Sequence, residues 1–304
     1  VNNEIKPTES RGKYFLAAFL APFIWGFMSI PVRWIRGWPA EDILYFRILT
    51  AMLILWIFIL IFRRKKLKED IYHYKELVQK DKRKYVWLTI LASLFIFGNW
   101  YTYIYCINHI SIQAAAFAYM LCPLITTAAA HFILREELSL IKKTALFFAL
   151  CSVIMLATGS LTEVLWSIAI GGLYAFYLII QRVVQGFDKL NILAIQLLLC
   201  MLIVVPKLLC NHHALPTAAV FWYTTFIIAL LFTIIPLYLS MFALNKISSS
   251  TVGIMLYINP IIAFFLAVFY FKEQVDPHKF WAYGLLIVAL LLFNSKVLTK
   301  ILKG

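Results

Sequence analysis

Two stretches decide the fold of this chain: residues 107–138, INHISIQAAAFAYMLCPLITTAAAHFILREEL, and residues 244–275, LNKISSSTVGIMLYINPIIAFFLAVFYFKEQV. They align without a gap at a constant shift of 137 positions, which lays Asn108 on Asn245, Ser111 on Ser248, Pro123 on Pro260 and Glu136 on Glu273. Apolar identities arise easily in a chain that is 63% hydrophobic and 14% charged. Matched Asn, Ser, Pro and Glu do not. A second block, 42–54 against 191–203, aligns at a shift of 149 and lays Arg47 on Gln196. The same shift lays Trp25 on Tyr174 and Arg33 on Arg182. Internal repetition of this kind is the usual construction of secondary transporters, whose two repeats rock about a site between them.

Working outward from these blocks, the chain is a succession of apolar runs of about 20 residues, the length of a transmembrane helix. Ten are expected, over 14–32, 43–62, 86–106, 112–134, 141–158, 163–181, 190–210, 218–242, 250–271 and 279–298. The fold class is therefore all-α integral membrane: ten transmembrane helices in two inverted five-helix repeats, 1–158 and 159–304. The alternating pattern of a membrane barrel is absent, and a helical bundle is the other way to pair every backbone group inside lipid. Short intervals between the runs leave no room for a soluble domain.

The net charge of +14 is distributed as a membrane protein distributes it, not as a nucleic-acid binder does. With the N-terminus inside, Arg33, Arg36, Lys207, Lys272 and Lys279 are the outside basic residues and Arg47 lies within a span; every other Lys and Arg is on the inner side. Both termini are thus expected in the cytoplasm. The densest basic segment, loop 63–84, carries Ile71, Tyr74 and Val78 at helical spacing, so a short helix there could rest on anionic lipid headgroups. A solvated loop that only sets orientation is the competing reading. The five cysteines lack zinc-site spacing and form no secreted disulfide framework, so neither a metal nor another cofactor is expected. An opening Val fits either a GTG start codon read literally, as in a bacterial gene, or a chain shortened at its N-terminus; the first reading leads to an expected bacterial inner (plasma) membrane location.

In repeat transporters the substrate site lies where helices are interrupted at corresponding positions. Pro123 and Pro260 are the expected hinges, since each removes a backbone donor. Tyr119 and Tyr257 stand one turn before them, and Asn259 adds a polar side chain. Asn99, Trp100 and Tyr103 in the third span, Trp25 in the first, and Tyr174 and Tyr177 in the sixth complete a sparsely charged aromatic lining. Such a lining suits neutral or zwitterionic metabolites with apolar or aromatic parts. Four residues are candidates for gating or coupling. Arg47 either gates the outer mouth, attracts an anionic group, or snorkels to the interface. Glu136 and Glu273 repeat, yet each stands three residues before a helix-start signal, Ser139 or Asp276-Pro277, which favours a structural role at the turn. His131 is either a proton carrier or a donor to a backbone carbonyl.

Trp-Gly in helix 1, Arg in helix 2 and Pro-x12-Glu closing helices 4 and 9 resemble the EamA-type branch of the drug/metabolite transporter superfamily. Asn99-Trp100 with Tyr103-Ile104-Tyr105, Asn108, Tyr119 and Pro123, together with Thr233-x-x-Pro236-Leu237 and Gly253-x-x-x-Tyr257-Ile258-x-Pro260, resemble its RarD-like group. Three positions that are polar in that group are Phe46, Ala114 and Cys122 here. The resemblance implies a central cavity lined by helices 1, 3, 4, 6, 8 and 9. It also implies a permease or exporter of small metabolites, amino acids among them. A lipid scramblase or a non-transporting membrane protein is the alternative. An intramembrane enzyme is disfavoured, because no HExxH, GxSxG or paired intramembrane Asp is present. The oligomeric state is not legible.

Overall fold

A computed structural model describes residues 12–110, 112–156, 161–210, 215–270, 272 and 277–295, and every regular element among them is helical. The first traverse is α1 (Gly12–Gly26) and the short α2 (Ser29–Trp34), interrupted at Phe27 and Met28. Then come α3 (Ala40–Phe62), the exposed α4 (Arg64–Glu76), α5 (Gln79–His109), α6 (Ile112–Leu134), α7 (Leu140–Leu156), α8 (Leu161–Val183) and α9 (Lys189–Cys210). α10 (Ala219–Ala229), a π-helical turn at Leu230–Ile234 and α11 (Ile235–Ala243) form one rod. α12 (Ser249–Met255), α13 (Ile258–Phe265) and a second π-helical turn at Leu266–Tyr270 form the next, followed by α14 (Pro277–Phe293).

Among the described residues, seven stretches are long and apolar enough to cross a membrane: Gly12–Trp34, Ala40–Phe62, Gln79–Cys106, Val164–Val183, Lys189–Cys210, Ala219–Ala243 and Ser249–Tyr270. The apolar helices Ala118–Leu134 and Phe280–Phe293 are shorter, and α7 has 17 residues. A helix therefore stands at each expected span; α6 runs 23 residues in all, and α7 and α14 run 17 each. The basic segment does form a helix, α4, with no buried residue. Val78 is not on it: it is the residue that precedes α5, so only Ile71 and Tyr74 of the expected face share that helix.

The prolines act unequally. Before Pro260 the helix breaks at Leu256 and Tyr257, and the Leu256 carbonyl, deprived of a donor at position 260, accepts from Asn259 N at 3.1 Å. At Pro123, by contrast, α6 runs on unbroken. The Thr126 and Thr127 hydroxyls there donate back to the Cys122 and Pro123 carbonyls at 2.8 and 2.9 Å, and α8 packs along the same helix. That contact is very close: a Cβ on Gly171 would lie 2.8 Å from the Ala118 carbonyl oxygen. Gly171→Ala is accordingly expected to cost about 1–3 kcal/mol of stability through overpacking, read as a lowered melting midpoint of the purified protein. Gly172→Ala, whose Cβ meets nothing within 4 Å, is the matched control. Equal midpoints for the two variants would refute the close crossing.

The main packing pairs are α6 with α8 and α12, α5 with α8 and α9, α1 with α11 and α13, α3 with α9 and α10, and α7 with α14. One local detail follows the sequence repeat. Arg135 and Lys272, superposed by the 137 shift, both have positive φ, 55° and 54°. Arg135 directly follows α6 as the left-handed residue that commonly closes a helix C-terminus.

Candidate functional site

The interior between α1, α5, α6, α8 and α11 is aromatic and polar at once. The Trp25 ring meets Tyr174 edge-on at 5.8 Å, and Tyr174 stacks on Tyr177 at 5.7 Å. The Tyr177 hydroxyl donates to Gln196 Oε1 at 3.3 Å. Trp25 also donates its indole N–H to the Phe232 carbonyl at 2.8 Å. That carbonyl stands four residues before Pro236, which has no N–H to offer it, so the first traverse supplies the donor the proline removed. On the other side Tyr103 meets Tyr119 at 5.3 Å, and the Arg47 guanidinium lies over the Trp100 ring at 4.7 Å. Asn99, buried on α5, donates to the Ile170 carbonyl of α8 at 2.8 Å.

Several polar atoms in this interior have no hydrogen-bond partner among the described residues: Arg47 Nε, Tyr174 Oη, Gln181 Nε2 and Oε1, Gln196 Nε2, Ser240 Oγ and Tyr257 Oη. Ser240 sits beside the Tyr174 hydroxyl without hydrogen-bond geometry, so both stay unpaired. Buried polar groups are normally satisfied, and a concentration of exceptions marks a place that another molecule completes.

A second set of contacts ties the two halves of the chain together at the α4 end. Arg63 pairs with Asp188 at 2.7 Å. Asp70 accepts from the Asp188 N–H at 3.1 Å and from Asn191 Nδ2 at 2.6 Å, while Asp188 Oδ1 accepts from Leu190 N and so caps α9. Phe187 is held between His73 and Tyr85, each ring 5.1 Å away. Glu136 reaches across to α12: one carboxylate oxygen accepts from Ser249 N at 2.6 Å, the other from Ser250 N at 3.0 Å and Ser250 Oγ at 2.6 Å.

Of the residues expected from sequence, Trp25, Tyr174 and Tyr177 form one contact chain, Tyr103 and Tyr119 a second pair, and Arg47 and Trp100 a third. Asn99 joins α5 to α8, and Tyr257 is fully buried at the break before Pro260. Asn259 is half-buried, with no side-chain partner among those described. His131 is exposed, its Nδ1 2.8 Å from the Glu136 carbonyl oxygen, far from the aromatic interior in role. Glu273 lies outside the described residues, as does Ser111. Arg47 is buried rather than snorkelled, with 9% of its surface exposed. Sequence reasoning did not assign Gln196 to the site, although its alignment with Arg47 was the available signal. It missed Asp70, Asp188 and Asn191 altogether, since their pairing joins segments far apart in the chain.

The family model described as the EamA-like transporter family matches residues 12–158 and again residues 161–295. An uncharacterized transporter, YojE, of Bacillus subtilis is 27% identical over 89% of this chain and 90% of its own length. Protein RarD of Escherichia coli is 24% identical over 91% of this chain and 92% of its own, and Protein RarD of Streptomyces exfoliatus 26% identical over 92% and 87%. A solved crystal structure superposes with a TM-score of 0.73 at 14% identity, covering 93% of this chain and 98% of that one, a likeness of fold alone.

Proposed function

This chain belongs to the EamA-like transporter family, and from that premise we propose that it is a secondary transporter, a permease or exporter of small metabolites such as amino acids or drug-like compounds. It works by alternating access around the aromatic interior. The observation that carries this reading is the group of unpaired polar atoms among the stacked rings, Tyr174, Tyr257, Ser240 and Gln196 foremost. Aromatic faces hold the apolar part of a passing molecule, and the free hydroxyls and amides orient it.

The ten helical stretches act as two inverted five-helix repeats in the inner membrane of a bacterial cell, with both termini and α4 on the cytoplasmic face. The packing supports this arrangement, because exchanging the halves carries most of the main pairs onto one another. The contact of α6 with α8 answers to that of α13 with α1, α5 with α8 to α11 with α1, and α5 with α9 to α10 with α3. The pairs α3–α9, α6–α12 and α7–α14 answer to themselves. The exposed basic α4 rests on anionic headgroups. On this topology the Arg63–Asp188, Asp70–Asn191 and Glu136–Ser250 contacts form a cytoplasmic clasp that parts when the site opens inward. The break before Pro260 is the hinge on the second half. Unbroken, α6 moves as a rigid rod on the first.

The test is metabolite profiling of cells and spent medium, comparing wild type with an Asn99→Ala, Tyr257→Phe double variant at matched membrane levels. The first change removes the donor to Ile170, and the second removes only an unpaired hydroxyl. One metabolite class accumulating outside with wild type and at least about tenfold less with the variant is the expected result. Identical profiles would remove this interior as the transport path and favour a lipid scramblase or a structural role.

A further inference from the structure

Resting on the transporter reading, we infer that the substrate is an anion whose carboxylate binds Arg47, and not a cation. Arg47 lies seven residues into α3, roughly 10 Å along the helix at 1.5 Å per residue. Its guanidinium lies over the Trp100 ring at 4.7 Å, and its Nε has no hydrogen-bond partner among the described residues. No described carboxylate reaches it. A full charge inside a membrane-spanning bundle is costly, and one aromatic face returns only a small part of that cost. A guanidinium kept there with a donor to spare is matched to a carboxylate that arrives from outside the protein.

The broken symmetry of the repeat sharpens the assignment. Where the first half has Arg47, the second has Gln196, whose Oε1 is taken by Tyr177 and whose Nε2 is unpaired. The two matched positions therefore offer one cationic and one neutral donor. The complementary molecule has a carboxylate at one end, a neutral acceptor at the other and an apolar or aromatic body between. Among the described residues Asp42, in the first turn of α3, is the one buried acid. Carrying an anion also supplies a driving force without a proton relay. A potential of about 100 mV, negative inside, favours outward movement of a monoanion roughly fiftyfold.

The test uses three probes of one shape: phenylacetate, phenylacetamide and phenethylammonium. Melting midpoints of the purified full chain are titrated with each, for wild type, Arg47→Gln and Arg47→Lys. Wild type is expected to bind phenylacetate at least about tenfold more tightly than the amide, as loss of a buried charge-assisted contact implies. Phenethylammonium is expected to be weakest. Arg47→Gln should bring the carboxylate-to-amide ratio near one, and Arg47→Lys should retain part of it. Capacitive current on proteoliposomes should follow phenylacetate addition with wild type and vanish with Arg47→Gln. Wild-type preference for the amide or the ammonium overturns the inference. So does a carboxylate preference that survives in Arg47→Gln, or a failure of all three probes to bind wild type. Export of a metabolite class without a carboxylate would overturn it while leaving the transporter reading intact. Conversely, phenylacetate binding without any exported class would sink the transporter reading alone.

Discussion

Glu136→Ala is expected to lower the melting midpoint of the purified protein by several degrees and to loosen the closure of the α4 end. Helix α12 is seven residues long, and its own turns cannot satisfy the backbone donors of Ser249, Ser250 and Thr251, its first intrahelical bond being Val252 N to the Ser248 carbonyl at 3.0 Å. The Ser248 hydroxyl accepts from Thr251 N at 3.3 Å. The remaining two, Ser249 N and Ser250 N, are taken by Glu136, which also binds the Ser250 hydroxyl. Its negative charge sits at the positive end of the helix as well. Hydrogen bonds to a charged acceptor contribute about 1.5–3 kcal/mol each when buried, and Glu136 is half-buried, so a total loss of about 2 kcal/mol is expected. Glu136→Gln keeps one acceptor oxygen and should fall between wild type and alanine. Because α12 leads directly to Tyr257, the same variant should also raise labelling of the interior by a membrane-impermeant cytoplasmic-side reagent. Wild-type melting and labelling in Glu136→Ala would mean that the carboxylate only decorates the turn.

Trp25→Ala and Trp25→Phe are expected to differ in kind. The alanine variant loses the ring that contacts Tyr174 and the donor to Phe232, and should lose stability in the range of about 3–5 kcal/mol typical of large aromatic truncations. The phenylalanine variant keeps an aromatic wall and leaves only the Phe232 carbonyl without its partner, at about 1–3 kcal/mol. Melting midpoints and flux of the exported class measure the two together. A phenylalanine variant indistinguishable from wild type in both would show that the π-helical turn satisfies its own carbonyl. In that case the tie between the first traverse and α11 is packing alone.

Much of the architecture was legible from the chain because it is local. Apolar runs reach helical length without reference to one another. The Ser248 hydroxyl accepts from Thr251 N, a cap made within four consecutive residues. The repeat was legible because identical polar residues at a constant shift survive any packing, and Arg135 and Lys272 adopt the same left-handed turn at matched positions. The two prolines expected as hinges differ in local structure. Pro260 breaks its helix whereas Pro123 does not, since what a proline does depends on who packs against the turn before it. The repeat also foretold nothing about Glu136 binding α12 in the other half, because a match in sequence says which positions are equivalent and not what they touch.

What the sequence by itself determined is an all-helical, membrane-type chain with two related halves and a family, since length, hydropathy and repetition are properties of segments. Only the tertiary structure decided which polar groups are used up and which are left over. Trp25 and Phe232 are 207 residues apart, and Asp70 and Asn191 are 121 apart. Whether a hydroxyl or guanidinium finds a partner is fixed by where distant helices cross, and no local window of sequence contains that information. The leftover donors at Arg47 and Gln196 are therefore visible in the folded chain alone, although the alignment had already matched the two positions.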